Sequence, residues 1–432
     1  MKKQMNLVFR FLVVPVLFLA LCQNLSFAQK NLPSVMPDRI ILNATPDPAV
    51  SVAVTWRTDR SVNSGTCELQ EVSPTKINSK DSKSFRAKTR PVNYVYENEP
   101  EISANQHSVI LTGLTAGTSY LYRVGNGDNW SEWFEFKTPG TDRGDYSFIY
   151  FGDPQLGLQS EWSRVVRKAY QFAPDCSFML YAGDIINRAG KDIEWHEWFK
   201  AGSHIFPTVA QILTPGNHDY KNGKLAPHWN AQFTQPTNGP AGLDGTCFFI
   251  DYPNLRLISM DSAAGSELEE ENGYELTVQK AWLDSVLRTN TKRWVVVTTH
   301  LPFYSTKDSR DNALLRKHFQ PILEKHKVDL VLTGHDHSYG RGRASDTPGL
   351  NPSVVYVVSV SGPKLYPAGT KSWMEHRGGN LQLFQKITVG ENALSYRSYT
   401  ASGKLFDEFR IERRTNGEKN FFEMKPARSE IK

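Results

Sequence analysis

The chain has 432 residues, which at about 150 residues per domain sets a prior of two to three domains. Apolar residues at 39%, charged residues at 22% and aromatics at 12% exclude a disordered, collagen-like or coiled-coil chain. The formal charge of +5 includes Lys2, Lys3 and Arg10; without residues 1–28 it falls to +2, too small to point to nucleic acid as a partner.

The N-terminus reads as an export signal over residues 1–28. Basic Met1-Lys2-Lys3 precedes an uncharged apolar run from Phe11 to Cys22, and Ser26-Phe27-Ala28 supplies small residues for cleavage. That run is far short of the ~20 residues a membrane-spanning helix needs, and no other segment is long and apolar enough. Leu21 stands where lipidation of Cys22 would want a small residue, so a periplasmic or secreted protein is expected rather than a lipoprotein. Cys67, Cys176 and Cys247 are odd in number and scattered, which suits buried small apolar residues better than a disulfide framework.

From 36 to 138, short alternating segments such as Val52–Arg57 and Ser119–Val124 are separated by turn signals, which predicts a β-sandwich. Leu114-Thr115-Ala116-Gly117-Thr118-Ser119-Tyr120 resembles the corner before the sixth strand of fibronectin type III domains. That resemblance implies that the Tyr120 hydroxyl bonds back to the chain. The basic stretch Lys76–Arg90 reads as a solvated loop or hairpin edge. Residues 139–145 are the expected linker, and the Arg143-Gly144-Asp145 tripeptide in it is too short to signify.

From 146 to 411 strand and helix alternate, which predicts an α/β domain. Apolar runs at 146–151, 176–182, 294–299 and 328–333 are interleaved with helical patterns at 160–173, 193–203, 275–289 and 311–325. Segments 353–361, 381–389, 393–400 and 404–411 read as a closing meander, and 412–432 as a charged, loosely packed tail. The acidic run Glu267–Glu271 reads as a solvated loop, and the tryptophans of 193–203 as one half-buried helix face.

Five strands each deliver a polar group at their carboxyl end, where open α/β sheets bind ligands. They run into Gly152-Asp153-Pro154-Gln155, Gly183-Asp184-Ile185-Ile186-Asn187, Gly216-Asn217-His218-Asp219, His300, and Gly334-His335-Asp336-His337. Carboxylate, amide and imidazole donors without thiolate suit Mn, Fe or Zn, and six such ligands are too many for one tetrahedral zinc. A two-metal site fits better.

These blocks, in this order, resemble the calcineurin-like metallophosphoesterase superfamily, and the sandwich ahead of them resembles the N-terminal domain of purple acid phosphatases. The resemblance implies a four-layer fold of two mixed β-sheets flanked by helices. It implies that Asp153, Asp184 and His337 bind a first metal, with Asp184 bridging to a second held by Asn217, His300 and His335. His218, with Asp219 beside it, would be the acid–base residue, and a hydroxide shared by the metals would attack phosphorus.

Two positions depart from the family. Asn187 stands where purple acid phosphatases have the tyrosine whose phenolate binds ferric iron, so a ferric-tyrosinate purple centre is not expected. Gln155 stands where most other members have histidine; its carbonyl is a weaker, neutral donor, which favours Mn²⁺ or Fe²⁺ over Zn²⁺. Arg188 matches a phosphate-binding arginine of the superfamily's protein phosphatases, and Asn187 joins it as a candidate substrate contact. Lys307 and Arg310 stand where purple acid phosphatases carry histidines. Tyr339 and Arg341 are expected under the site or on its rim. The expected function is an exported metal-dependent phosphomonoesterase acting on a small phosphate ester. A phosphodiesterase of nucleotide, lipid or polymer substrates is the alternative, and a non-catalytic surface binding protein a more remote one.

Overall fold

The computed structural model describes residues 31–141, 144–263, 274–350, 352–414 and 418–424. The export signal, Arg143 and the acidic run Glu267–Glu271 lie outside the described residues. No described helix is long and apolar enough to cross a membrane.

The alternation of side chains along each strand builds the layers. In the strand Tyr146–Phe151, Phe148 and Tyr150 point into a core shared with a second sheet, and Ile149 and Phe151 point outward to helices. Phe178 and Leu180, against Met179 and Tyr181, repeat the pattern in the next strand. The facing sheet contributes Leu255, Leu257, Trp294, Val296, Leu330 and Leu332. Its outer face, with Val295, Val297 and Val331, packs on the helices Tyr274–Arg288 and Ala313–Lys325. In the latter helix, Leu315, Phe319, Ile322 and Leu323 fall on one face at helical spacing. Each large apolar side chain buried in this way contributes about 1.5–3 kcal/mol. Helix, sheet, sheet and helix form four layers behind an all-β domain.

The second sheet has seven strands and runs from Phe248–Tyr252 through Leu255–Ser259, Trp294–Thr298, Leu330–Thr333, Val355–Val358 and Tyr339–Arg343 to His376–Gly378. The first has eleven and crosses from one domain into the other. The parallel strands Tyr146–Phe151, Phe178–Ala182 and Ala210–Thr214 are followed by Asp38–Ala44 of the N-terminal domain, which pairs in parallel through Asn43 and Gln211. The Asn43 amide donates to the Gln211 carbonyl at 2.9 Å and accepts from Thr234 N–H at 3.0 Å. Tyr122 of the N-terminal domain donates its hydroxyl to the Pro207 carbonyl at 2.8 Å. Within that domain Tyr120 accepts from the Thr115 N–H at 2.8 Å, closing the corner.

Two sequence expectations need correction. Val355–Val358 does not join the closing meander, because it pairs with Leu330–Thr333 in the second sheet. The meander consists of Leu383–Val389, Ala393–Thr400 and Leu405–Arg413, and the tail extends it. Lys419–Glu423 adds the edge strand, with Phe421 stacked on Phe409 and Glu423 paired with Arg341 at 2.9 Å. One aromatic pair in a charged segment carries no period, so the strand arises from long-range pairing alone. The three cysteines are buried and free, and Trp195 and Trp198 are fully buried in the helix Asp192–Gly202.

Candidate metal centre

The strands ending at Phe151, Ala182 and Thr214 in one sheet, and at Thr298 and Thr333 in the other, open onto a common edge. Asp153, Asp184 and His337 bring one ligand atom each to within 4.8 Å of one another, and so do Asp184, His300 and His335. Asp184 belongs to both groups. Asn217 joins the second, its Oδ1 lying 3.1 Å from His300 Nε2.

Backbone strain accompanies this convergence. Gln155, Asp184, His335 and His337 all have positive φ, an uncommon conformation for residues with a side chain. The glycines leave room for ligands arriving from other loops. A Cβ on Gly183, at φ +89°, would lie 2.4 Å from His300 Nδ1, and one on Gly334 would lie 2.0 Å from Asp153 Oδ1. Gly183→Ala is expected to displace His300, destabilise the fold by about 1–3 kcal/mol and lower metal content, read by thermal unfolding and metal analysis.

Main-chain carbonyls orient two of the imidazoles. His300 Nδ1–H donates to Ala182 O at 2.8 Å and His337 Nδ1–H to Lys364 O at 2.7 Å, so each turns Nε2 toward a carboxylate. Burial, followed by the His300 charge, keeps His335 neutral, and burial pushes His337 down to about 4. Burial, reinforced by the Asp184 charge, raises Asp153 to about 7. Burial, the largest single influence, opposes ionisation of Asp184, but the His300 charge together with hydrogen bonds from His300 and His218 N–H holds the carboxyl well below its usual range. His300 responds in kind: burial lowers it, yet the charge and hydrogen bond of Asp184, with the Asp153 charge and the Ala182 carbonyl, together lift it to about 10. The buried Asp153 Oδ2 and Asp184 Oδ2 have no hydrogen-bond partner. Unpartnered carboxylate oxygens among oriented imidazoles are the chemistry of a cation site, and these donors fit a pair of divalent ions.

The remaining predicted residues take several positions. Gln155 is fully buried beside Asp153; its N–H donates to Asp184 O at 3.1 Å, and neither amide atom has a partner, which leaves its oxygen available as a donor. His218 is half-buried, its N–H on Asp184 Oδ1 at 2.8 Å and its Nδ1–H on Asn187 O at 2.7 Å. Asn187 thus acts on the site through its main chain. Arg188 is exposed at the rim with Nε on Glu194 at 2.6 Å. Arg310 is pinned to Asp336 at 2.5 Å, with Nη1 3.5 Å from His335 O, and Lys307 lies over the Tyr366 ring at 4.2 Å.

Asp219, expected beside His218 in the catalytic pair, is fully buried, and its Oδ2 accepts from Gly216 N–H at 2.8 Å and Ile185 N–H at 3.4 Å, which braces the turns that carry Asn217 and Asp184. Tyr339 and Arg341 are fully buried, both bonded to the buried Asp407. Sequence reading missed the second role of Asp336 and the whole of Glu194. Asp336 was visible between two candidate ligand histidines, but it also holds the loop after His300 by accepting from Ser305 Oγ and Thr306 N–H. Glu194 carries no spacing signal, because two of its three hydrogen bonds are to backbone groups.

Comparison with known proteins places this geometry. Residues 37–138 match the purple acid phosphatase N-terminal domain, and residues 146–339 match the calcineurin-like phosphoesterase family. Purple acid phosphatase 22 of Arabidopsis thaliana is 26% identical over 250 residues, covering 55% of this chain and 54% of that protein. The chain spans about half the length of the curated relatives it matches. The purple acid phosphatase PPD1 from yellow lupin (Lupinus luteus) seeds shares the fold at TM-score 0.74 and 18% identity, over 88% of this chain and 75% of that one. PhoD does so at 0.65 and 13%, over 93% and 94%.

Proposed function

The chain belongs to the calcineurin-like phosphoesterases and carries a purple acid phosphatase N-terminal domain, and we propose that it is an exported metal-dependent phosphomonoesterase. The observation that carries this reading is Asp184, common to two triads of ligand atoms that hold buried, unpartnered carboxylate oxygens. Asp153, Asp184 and His337, with the Gln155 amide, would hold one cation; Asp184, Asn217, His300 and His335 would hold the other. Two cations bound there supply Lewis acidity to phosphate oxygens and lower the pKa of water. Mn²⁺ or Fe²⁺ is the favoured occupant and Zn²⁺ the alternative, since the donors are mostly oxygen and imidazole and Asn187 offers no phenolate to ferric iron.

The chain's own groups do the rest. His218 has Nδ1 tied to the Asn187 carbonyl, so Nε2 is the atom that hands a proton to the leaving oxygen. Arg188 and Arg310 stand at the rim to meet a dianionic phosphate, and Lys307 adds charge beside Arg310. Such a rim favours a monoester over a diester.

The test strips the protein with chelator, reloads it with Mn²⁺ and compares an aryl phosphate with its bis-aryl diester. Metal-dependent turnover of the monoester is expected; faster turnover of the diester would reassign the substrate class. No turnover of either by folded protein with two bound metals would refute the enzyme reading. Asn217→Ala is expected to lose about 10³-fold in kcat/KM and one of the two bound metals. Near-parental rates in that variant would remove Asn217 from the ligand set.

A further inference from the structure

The first turn of the helix Asp192–Gly202 carries two buried carboxylates with different partners. Asp192 faces the N-terminal domain, where the Arg39 guanidinium grips it at 2.8 and 2.7 Å. Glu194 faces the candidate metal centre. Its Oε2 accepts the N–H groups of Asn187 at 2.9 Å and Arg188 at 2.8 Å, and its Oε1 accepts Arg188 Nε at 2.6 Å.

The Arg188 N–H and the Asn187 carbonyl belong to the same planar trans peptide and point in opposite directions. On the far side of that peptide, the carbonyl receives His218 Nδ1–H at 2.7 Å. Carboxylate, peptide and imidazole therefore form one hydrogen-bonded chain. Pinning the N–H end fixes where the carbonyl points, and a carboxylate at one end of such a chain polarises the peptide and strengthens its acceptor. Catalytic histidines are commonly oriented by a carboxylate bonded directly to the ring; here the carboxylate acts across a peptide unit.

We propose that Glu194 is a positioning residue for proton transfer, aiming His218 through the Asn187–Arg188 peptide and fixing Arg188 with its second oxygen. The proposal rests on the reading of His218 as the proton donor given above. Arg39, by anchoring Asp192, holds the helix end from which Glu194 is presented, so the N-terminal domain helps to set the geometry of the donor.

A positioning role has a signature that plain destabilisation lacks. Protonation matters when the leaving group is a poor one, and little when it departs unaided. In metal-loaded full-length Glu194→Ala, kcat for an alkyl phosphate is expected to fall by about 10²-fold, while that for a dinitrophenyl phosphate stays within about threefold. Glu194→Gln keeps a carbonyl to accept the Arg188 N–H, so its alkyl phosphate rate should stay within about fivefold of the parent. Its KM should rise, because the amide no longer pairs with the Arg188 guanidinium. Both variants should bind as much metal as the parent.

A second measurement needs no turnover. In ¹⁵N-histidine spectra of the full chain, the Nδ1–H signal of His218, assigned by its absence in His218→Asn, should persist in Glu194→Gln and exchange rapidly in Glu194→Ala. Equal rate losses for all leaving groups, or an unaltered His218 signal in Glu194→Ala, would overturn the proposal. A parent protein that binds two metals but hydrolyses no ester would instead overturn the hydrolase reading, and the spectra would still decide whether Glu194 orients His218.

Discussion

Asp184→Asn is expected to cost at least about 10³-fold in kcat/KM and to weaken metal binding at both sites together. The reason is geometric: Asp184 is the one residue common to both groups of ligand atoms. Asparagine keeps the shape and an oxygen that can still accept the His218 N–H, which now bonds Asp184 Oδ1 at 2.8 Å, so the turn is retained while the charge is lost. Ligand binding to the native state stabilises it, by about 2.7 kcal/mol at a concentration one hundred times Kd. Added Mn²⁺ should therefore raise the melting temperature of the parent and of Asn217→Ala, the latter by less, and barely move that of Asp184→Asn. Metal titration with parallel thermal scans checks this. A variant that still binds two cations and stays within tenfold of the parental rate would show that Asp184 is not shared.

The largest effect on stability is expected far from the chemistry. Arg39→Ala should destabilise the protein by about 3–5 kcal/mol, the cost of leaving one partner of a buried ion pair without the other. Arg39 and Asp192 are only 2% and 4% exposed, and Arg39 also donates to Gln232 at 2.7 Å. Arg57 at 3.6 Å and His228 at 3.4 Å remain near Asp192 and soften the loss. Urea unfolding of Arg39→Ala, Asp192→Ala and the double variant measures the pair, and the double variant should be less destabilised than the two singles added together. The pH dependence has a definite sign. Burial opposes ionisation of Asp192, but the charge and hydrogen bonds of Arg39, with those of His228 and the Arg57 charge, together hold its carboxyl far below the usual range. A depressed folded-state pKa contributes stability that is fully present above the unfolded value of about 3.9 and fades as pH falls below it. Arg39→Ala should therefore narrow its gap to the parent in acid.

The candidate metal centre was legible in the sequence because its candidate ligands closely follow five apolar strands, His335 and His337 sharing one. An apolar run, a turn and Asp, Asn or His at its end are local features, and Asp153, Asp184, Asn217, His300, His335 and His337 all carry them. The helices at 160–173, 193–203, 275–289 and 311–325 were legible for a related reason. A 3.6-residue period records which face is buried, whatever buries it, and the four helices run over Ser163–Phe172, Asp192–Gly202, Tyr274–Arg288 and Ala313–Lys325. The different surroundings of His218 and Asp219 were not legible, because the same Gly-Asn-His-Asp block supplies a half-buried histidine and a fully buried carboxylate one residue apart. Sequence adjacency cannot tell these apart.

By itself, then, the sequence determined the class of most segments, though not the edge strand Lys419–Glu423, and the polar groups at five strand ends. These follow from composition, period and turn chemistry over a few residues at a time. Only the tertiary structure decided that the N-terminal sandwich and the α/β domain share an eleven-stranded sheet through Asn43 and Gln211. It alone brought Arg39 to Asp192, 153 residues away, and set Glu194 behind the peptide that holds His218. The physical reason is that hydrogen bonds to backbone groups and pairings between distant strands leave no period and no preferred spacing. They depend on where the chain returns after folding, and a charged residue at a helix start looks the same whether it meets water, an arginine or the back of a turn that holds a histidine.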